Sequence, residues 1–183
     1  MKIKLEGVRL AFPNLFEPRA FGEDGSDPAY GASFIFPKDH PCMKLVNDAI
    51  EAVAKEKWEG KSAEILKQLR AADRICLHDG DLKPDYNGFP DNLFVAARNK
   101  ARPLVIDRDK TPLTKDDGKP YSGCYVNARV DVWAQQNAFG KRVNATLSGV
   151  QFVKDGDAFT GAPPATPDDF EDLAEGADAE SLV

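Results

Sequence analysis

Across residues 122–154 apolar and polar side chains alternate with a period of two, interrupted once by a polar turn. Cys124, Val126, Ala128, Val130, Val132 and Ala134 share one parity; Tyr125, Asn127, Arg129, Asp131, Trp133 and Gln135 share the other. Side chains of a strand point alternately to its two faces. The pattern therefore predicts an apolar wall behind a face of rings, amides and charges. Residues 136–142 predict a hairpin turn, with Phe139, Lys141 and Arg142 at its tip. On the return strand Val143, Ala145 and Leu147 face inward. Parity then changes at Gly149 so that Val150 and Phe152 take over, the mark of a bulge or sharp bend.

The rest of the chain follows the same logic. Residues 2–12 form a strand through Ile3 and Leu5, with a parity change at Gly7 that brings Val8, Leu10 and Phe12 inward; Pro13 is expected to break it. Tyr30, Ala32, Phe34 and Phe36 give a second strand, closed by Pro37. Helical spacing of Leu45, Val46, Ala49, Ile50 and Val53 predicts a helix over 39–58, with Asp39 as N-cap and Pro41 in its first turn. A shorter amphipathic helix follows over 62–72. Residues 75–90 are dense in Gly, Pro, Asn and Asp and predict a loop. A strand over 93–100 sets Leu93, Val95 and Ala97 against Phe94, Arg98 and Lys100, and Pro103 puts 103–106 at a sheet edge. The sum is a mainly β domain over 1–154, a bent antiparallel sheet with a helical insertion at about 39–72. Residues 155–183 read as an acidic, proline-containing, disordered tail.

Charge changes this picture once it is resolved along the chain. The formal net charge is −6, from 24 basic and 30 acidic residues. Nine of the acidic residues and none of the basic ones lie beyond Lys154, leaving residues 1–154 at a net +3. Within 98–154, 11 basic residues face 5 acidic ones. A mildly basic sheet thus carries an acidic appendage. No apolar run approaches the ~20 residues of a membrane span, and the start has no signal-peptide core, so a cytoplasmic protein is expected. Cys42, Cys76 and Cys124 are widely spaced and read as buried thiols, neither a disulfide frame nor a zinc site.

Rings interleaved with cations on one sheet face suit a single-stranded nucleic acid: bases stack on π-faces while Lys and Arg track phosphates. The candidate contacts are Tyr125, Asn127, Arg129 and Trp133 on the strand, Phe139, Lys141 and Arg142 at the hairpin tip, and the cluster Phe94, Arg98, Lys100 and Arg102. The competing reading of Tyr125, Arg129 and Trp133 is that the 39–58 helix covers them as core. Lys110, Lys115 and Lys119 read as solvated loop charges. Asp79, Asp81 and Asp85 raise a metal-nuclease alternative, but carboxylates in a Gly/Pro loop without histidine ligands fit turn-making better. No P-loop, nucleophile elbow or zinc pattern is present, so no enzyme activity, metal or cofactor is expected.

Several segments in order resemble a known family: GVRLAFPNLFEP, SFIFPKD, the DGD loop, RPLVIDRDKTPL, YSGCYVNARVDVWAQ and GVQFVKDGDAF. Together, over roughly residues 3–160, they resemble tailed-phage single-stranded-DNA-binding proteins typified by an enterobacterial phage protein; YSGCYVNARV and GVQFVKDGD are the most specific pieces. The resemblance implies an OB-fold barrel with two helices between strands. It also implies a role in coating single strands during replication and recombination, and an acidic tail that restrains binding. The expected partner is single-stranded DNA, with replication or recombination proteins reached through the tail, no membrane, and a homodimer left open. The alternative is an acidic interaction protein or DNA mimic with no single-strand affinity.

Overall fold

The computed structural model describes residues 1–20, 27–159 and 167–176. Its strands are β1 (Lys2–Arg19), β2 (Ala29–Pro37), β3 (Leu77–Asp79), β4 (Asn92–Asn99), β5 (Leu104–Ile106), β6 (Tyr125–Asn137) and β7 (Gly140–Lys154). Helices α1 (Pro41–Trp58) and α2 (Ser62–Ala71) lie between β2 and β3, and one helical turn, α3 (Leu173–Gly176), lies in the acidic segment. β1 pairs antiparallel with β2 and β6, β2 with β4, and β6 with β7. A parallel contact of Arg98 on β4 with Thr146 on β7 closes the ring. The result is a five-stranded closed barrel in the order β1-β2-β4-β7-β6, the strand order of an OB fold, with β3 and β5 added at its margins.

The alternation of apolar residues carries the barrel. Leu5, Val8, Leu10, Phe34, Val95, Val126, Val130 and Leu147 all lie within one buried core. The parity change at Gly149 is a register slip: Arg129 pairs with Gly149 but Val130 with Leu147. Gly7 sits at the corresponding slip of β1 on β6, with φ +64, a left-handed conformation that a residue without Cβ enters cheaply. Asn127 Oδ1 accepts a 3.0 Å hydrogen bond from the Gly7 amide and fixes that bulge.

α1 buries Val46, Ala49, Ile50, Val53 and Trp58 against β6 and β1, and Trp58 Nε1 donates to Gln136 Oε1 at 2.8 Å. Its N-cap is His40, not Asp39: the His40 ring nitrogen Nδ1 accepts from the Cys42 amide, and Pro41 takes the first turn. Side-chain type alone favoured the aspartate, but the chain turns one residue later.

Three further departures matter for the site. β1 runs through Pro13 to Arg19, because its pairing with β2 slips between Ala11 and Asn14 and absorbs the proline. That slip turns Phe12 outward at φ 48 and 41% exposed, where the alternation had it facing inward. The 75–90 segment is also more ordered than its composition suggests. β3 pairs with β4, and the Cys76 amide donates to the Val143 carbonyl at 2.9 Å, packing the seam between β4 and β7.

Residues 155–159, which charge assigns to the tail, make contacts with the barrel. Tyr121 donates to Asp155 Oδ1 at 2.7 Å, the Phe159 amide donates to the Ser122 carbonyl, and the Arg9 guanidinium lies 4.3 Å from the Phe159 ring centre. A Cβ on Gly88 would come within 2.4 Å of that ring, so glycine is what lets Phe159 lie there. The chain is thus tied to the barrel through Phe159. Residues 167–176 hold a short 3₁₀ turn and α3, and the remainder of the expected disordered tail, 160–166 and 177–183, lies outside the described residues.

Candidate nucleic-acid interface

Outside the barrel, a second small core of Ala11, Ile35, Phe89 and Phe94 lies on the outer face of β1, β2 and β4. The 80–90 segment folds over it and leaves a cleft beside it. The cleft has two lobes that share Asp73, His78, Ala96 and Arg98. The first, of about 830 Å³, is lined by Phe12, Arg19, Lys83, Tyr86 and the β2–β4 surface. The second, of about 520 Å³, is lined by Arg74, Trp133, Gln135, Arg142, Asn144 and Thr146. The strand pair and the hairpin loops bordering this groove are where an OB barrel takes an oligonucleotide.

The walls are held in place by their own contacts. Trp133 Nε1 donates to Thr146 Oγ1 at 2.9 Å, which fixes an indole that is still 42% exposed. Arg74 donates from Nε to the Lys141 carbonyl and from Nη2 to the Phe139 carbonyl, bracing the β6–β7 hairpin from below. Phe12 and Tyr86 meet edge to face at 5.1 Å, with the Lys83 ammonium 5.8 and 5.6 Å from their centres. Desolvation by the cleft walls, and then the like charge of Arg142, lower the Arg98 pKa from its ordinary value. Chemically the groove offers flat rings at both ends and guanidinium groups between, the elements that grip bases and phosphates.

A family model described as Enterobacter phage Enc34, ssDNA-binding protein, matches residues 1–182. The chain belongs to that family. Putative protein p50 of Acyrthosiphon pisum secondary endosymbiont phage 1 is 47% identical over 186 residues, spanning 100% of both chains. The single-stranded DNA-binding protein from bacteriophage Enc34, solved in complex with ssDNA, is 30% identical with a TM-score of 0.73, over 86% of this chain and 89% of that one. The gp2.5 single-stranded DNA-binding protein of bacteriophage T7 is 13% identical with a TM-score of 0.56, over 98% and 96% of the two chains. At that identity the likeness is one of fold alone.

Within this frame the residues singled out by sequence divide sharply. Phe94, Arg98, Trp133 and Arg142 line the cleft together. Phe139 stands at the hairpin tip, 84% exposed, beside Lys141. The helix does not cover the Trp133 face. Phe94 needs a correction: it points to the predicted face but is only 4% exposed, capped by His78 stacked at 4.9 Å and by the edge of Phe89 at 5.0 Å. It supports the cleft from beneath and offers no free ring.

The remaining candidates lie elsewhere. Tyr125 sits under Lys154 at 4.7 Å and Arg9 at 5.6 Å, away from both lobes. Asn127 is occupied by the Gly7 bulge, and Arg129 lines a separate shallow pocket of about 220 Å³ with Lys4 and Leu104. Lys100 pairs with Asp27 at 3.3 Å and Arg102 lies 5.8 Å from the Phe16 ring centre. Among the loop cations, Lys115 pairs with Glu17 and Lys119 with Asp107, which raises both lysine pKa values. Asp79 and Asp81 act as turn-makers, accepting from the Asp81 and Asp91 amides. Among the described residues no group of three or more His, Cys, Asp or Glu could hold a metal ion, and no helix is long and apolar enough to cross a membrane.

Phe12, Asp73, Arg74, His78, Lys83 and Tyr86 were missed. Lys83 and Tyr86 did carry a signal: 83–89 interleaves a cation with two rings, as the chosen stretches do. Phe12 had none, because its outward turn follows from the slip at Pro13.

Proposed function

We propose that the protein binds single-stranded DNA in the two-lobed cleft, coating it without catalysis in phage replication and recombination. The observation that carries this reading is the cleft itself, with exposed Trp133 at one end, Phe12 and Tyr86 at the other, and Arg98 and Arg142 between. Membership of the Enc34 family and likeness to a relative solved with ssDNA support it. Trp133, Phe12, Tyr86 and the hairpin-tip Phe139 stack on bases; Arg98, Arg142, Lys141 and Lys83 meet phosphates. Tyr125, Asn127, Arg129, Lys100 and Arg102 contribute through the barrel and its long-range field. Binding takes place in the host cytoplasm, with the acidic segment as a polyanion tethered beside the cleft that competes for the same cations.

Phe159 is the last described residue before the acidic segment, and Asn87 Nδ2 donates to its carbonyl at 3.2 Å. Asn87 neighbours Tyr86, so Phe159 lies against the loop that walls the first lobe. The test is a fluorescence titration with unstructured oligonucleotides of increasing length, using the full chain and a chain ending at Phe159. Trp133 quenching is expected against a constant signal from buried Trp58, with tighter binding by the shorter chain at low salt. A DNA mimic would give no quenching with either chain, and equal affinity at low salt would remove the tail from the mechanism.

A further inference from the structure

Among the described residues, the charged side chains lining the cleft are cationic with one exception, and that exception lies where the lobes meet. Asp73 lines both, beside Arg98 and His78, with its side chain 53% exposed. Its carboxylate is aimed. His78 Nδ1 lies 2.6 Å from Asp73 Oδ1, and the His78 ring is stacked on Phe94, which is wedged in turn against Phe89. The backbone at Asp73 is also unusual. It follows α2 with φ 54, and its amide donates to the Arg70 carbonyl at 3.2 Å. At such a helix end glycine or asparagine is the low-energy choice. A layered stack thus holds this carboxylate at the cleft, on a backbone conformation that a glycine or asparagine would adopt more cheaply.

A carboxylate accepts hydrogen bonds and donates none, and it repels phosphate. What docks on it from a nucleic acid is a donor on a base edge. Arg98 and Arg142 hold the strand's phosphates nearby and Trp133 offers a stacking surface, so a base edge is what remains to meet Asp73. Guanine presents two parallel donors, N1–H and N2–H, that match the two oxygens of a carboxylate. Thymine presents one N–H between two carbonyls. Adenine and cytosine present an amino group beside an acceptor, so neither makes the paired contact. We propose that Asp73 reads the Watson–Crick edge of guanine, giving the cleft one guanine-preferring position in an otherwise sequence-tolerant track. The inference rests on the single-strand reading above and adds a base preference to it.

Inosine lacks only the N2 amino group, so the decisive comparison is between strands of about 20 nucleotides, longer than one OB site, alternating thymine with guanine or with inosine. The full chain is expected to bind the guanine strand about fivefold tighter, the lower end of a bidentate base contact. Asp73→Gly, which suits the backbone conformation, brings the ratio to about one; Asp73→Asn, which keeps a single acceptor, falls between. Equal affinities in the full chain, or a ratio that survives in Asp73→Gly, overturn the assignment while leaving single-strand binding intact. No binding of either strand overturns the single-strand reading itself, and this assignment with it. A preference for ribose over deoxyribose strands erased by Asp73→Gly, with no guanine–inosine difference, also overturns it by giving the carboxylate a sugar hydroxyl instead.

Discussion

The two ends of β6 carry the same pattern and meet opposite fates. Trp133 and Tyr125 stand on one face, eight residues and so about 26 Å apart. Both are outward-facing rings near cations. Trp133 borders the second lobe of the cleft with its indole fixed by Thr146 and its surface open. Tyr125 is already taken: Arg9 and Lys154 lie over its ring, and a Cβ on Gly156 would approach it to 3.0 Å. Arg9 at the same time donates to the carbonyls of Gly123 and Asp157 and stacks on Phe159. The lower end of the face is thus a clasp that fastens the chain's last barrel segment, and the upper end is an open surface. Alternation says which way a side chain points; it does not say whether anything has arrived there first.

The largest effect expected from breaking this contrast is on Trp133. Trp133→Ala should weaken single-strand binding by about 1–3 kcal/mol, at least fivefold, in titrations at constant salt. An unchanged affinity would mean that bases do not stack at the upper end. Arg142→Gln should act more gently and in another way. It removes one phosphate contact, so the slope of log K against log salt should flatten by about 0.7 with little dependence on sequence. The smallest effect on binding is expected at the lower end. Tyr125→Leu should leave affinity within error but remove two cation–π contacts of about 0.5–1 kcal/mol each. For a domain of this size that lowers the melting temperature by roughly 2–4 °C for each kcal/mol lost. If Tyr125→Leu weakened binding as much as Trp133→Ala, the clasp would be part of the DNA track and the contrast would fail.

The same distinction explains what else was legible. The faces of β2, β4, β6 and β7 follow from period-two patterning, and even the slip at Gly149 is written in the change of parity. Phe94 was correctly turned outward, yet the 80–90 segment buries it, and that segment read only as a loop. The clearest cleft residues to escape notice, Asp73 and Arg74, owe their place to contacts across the chain. Arg74 reaches the Phe139 carbonyl 65 residues away, and Asp73 is set in the cleft by the end of α2 and by His78. Phe12 required knowing that β1 continues past a proline because β2 lets its register slip.

By itself, the amino-acid order determined a bent sheet with one apolar side, a helical insertion, a basic body with an acidic end, and the short segments that carry the family likeness. These depend on spacing along the backbone or on local charge, which neighbours in sequence express without help. Only the tertiary structure decided the closure of the barrel through Arg98 and Thr146 and the two-lobed cleft that sits across it. It also separated rings left open from rings already covered, because availability depends on which distant segments pack against a face.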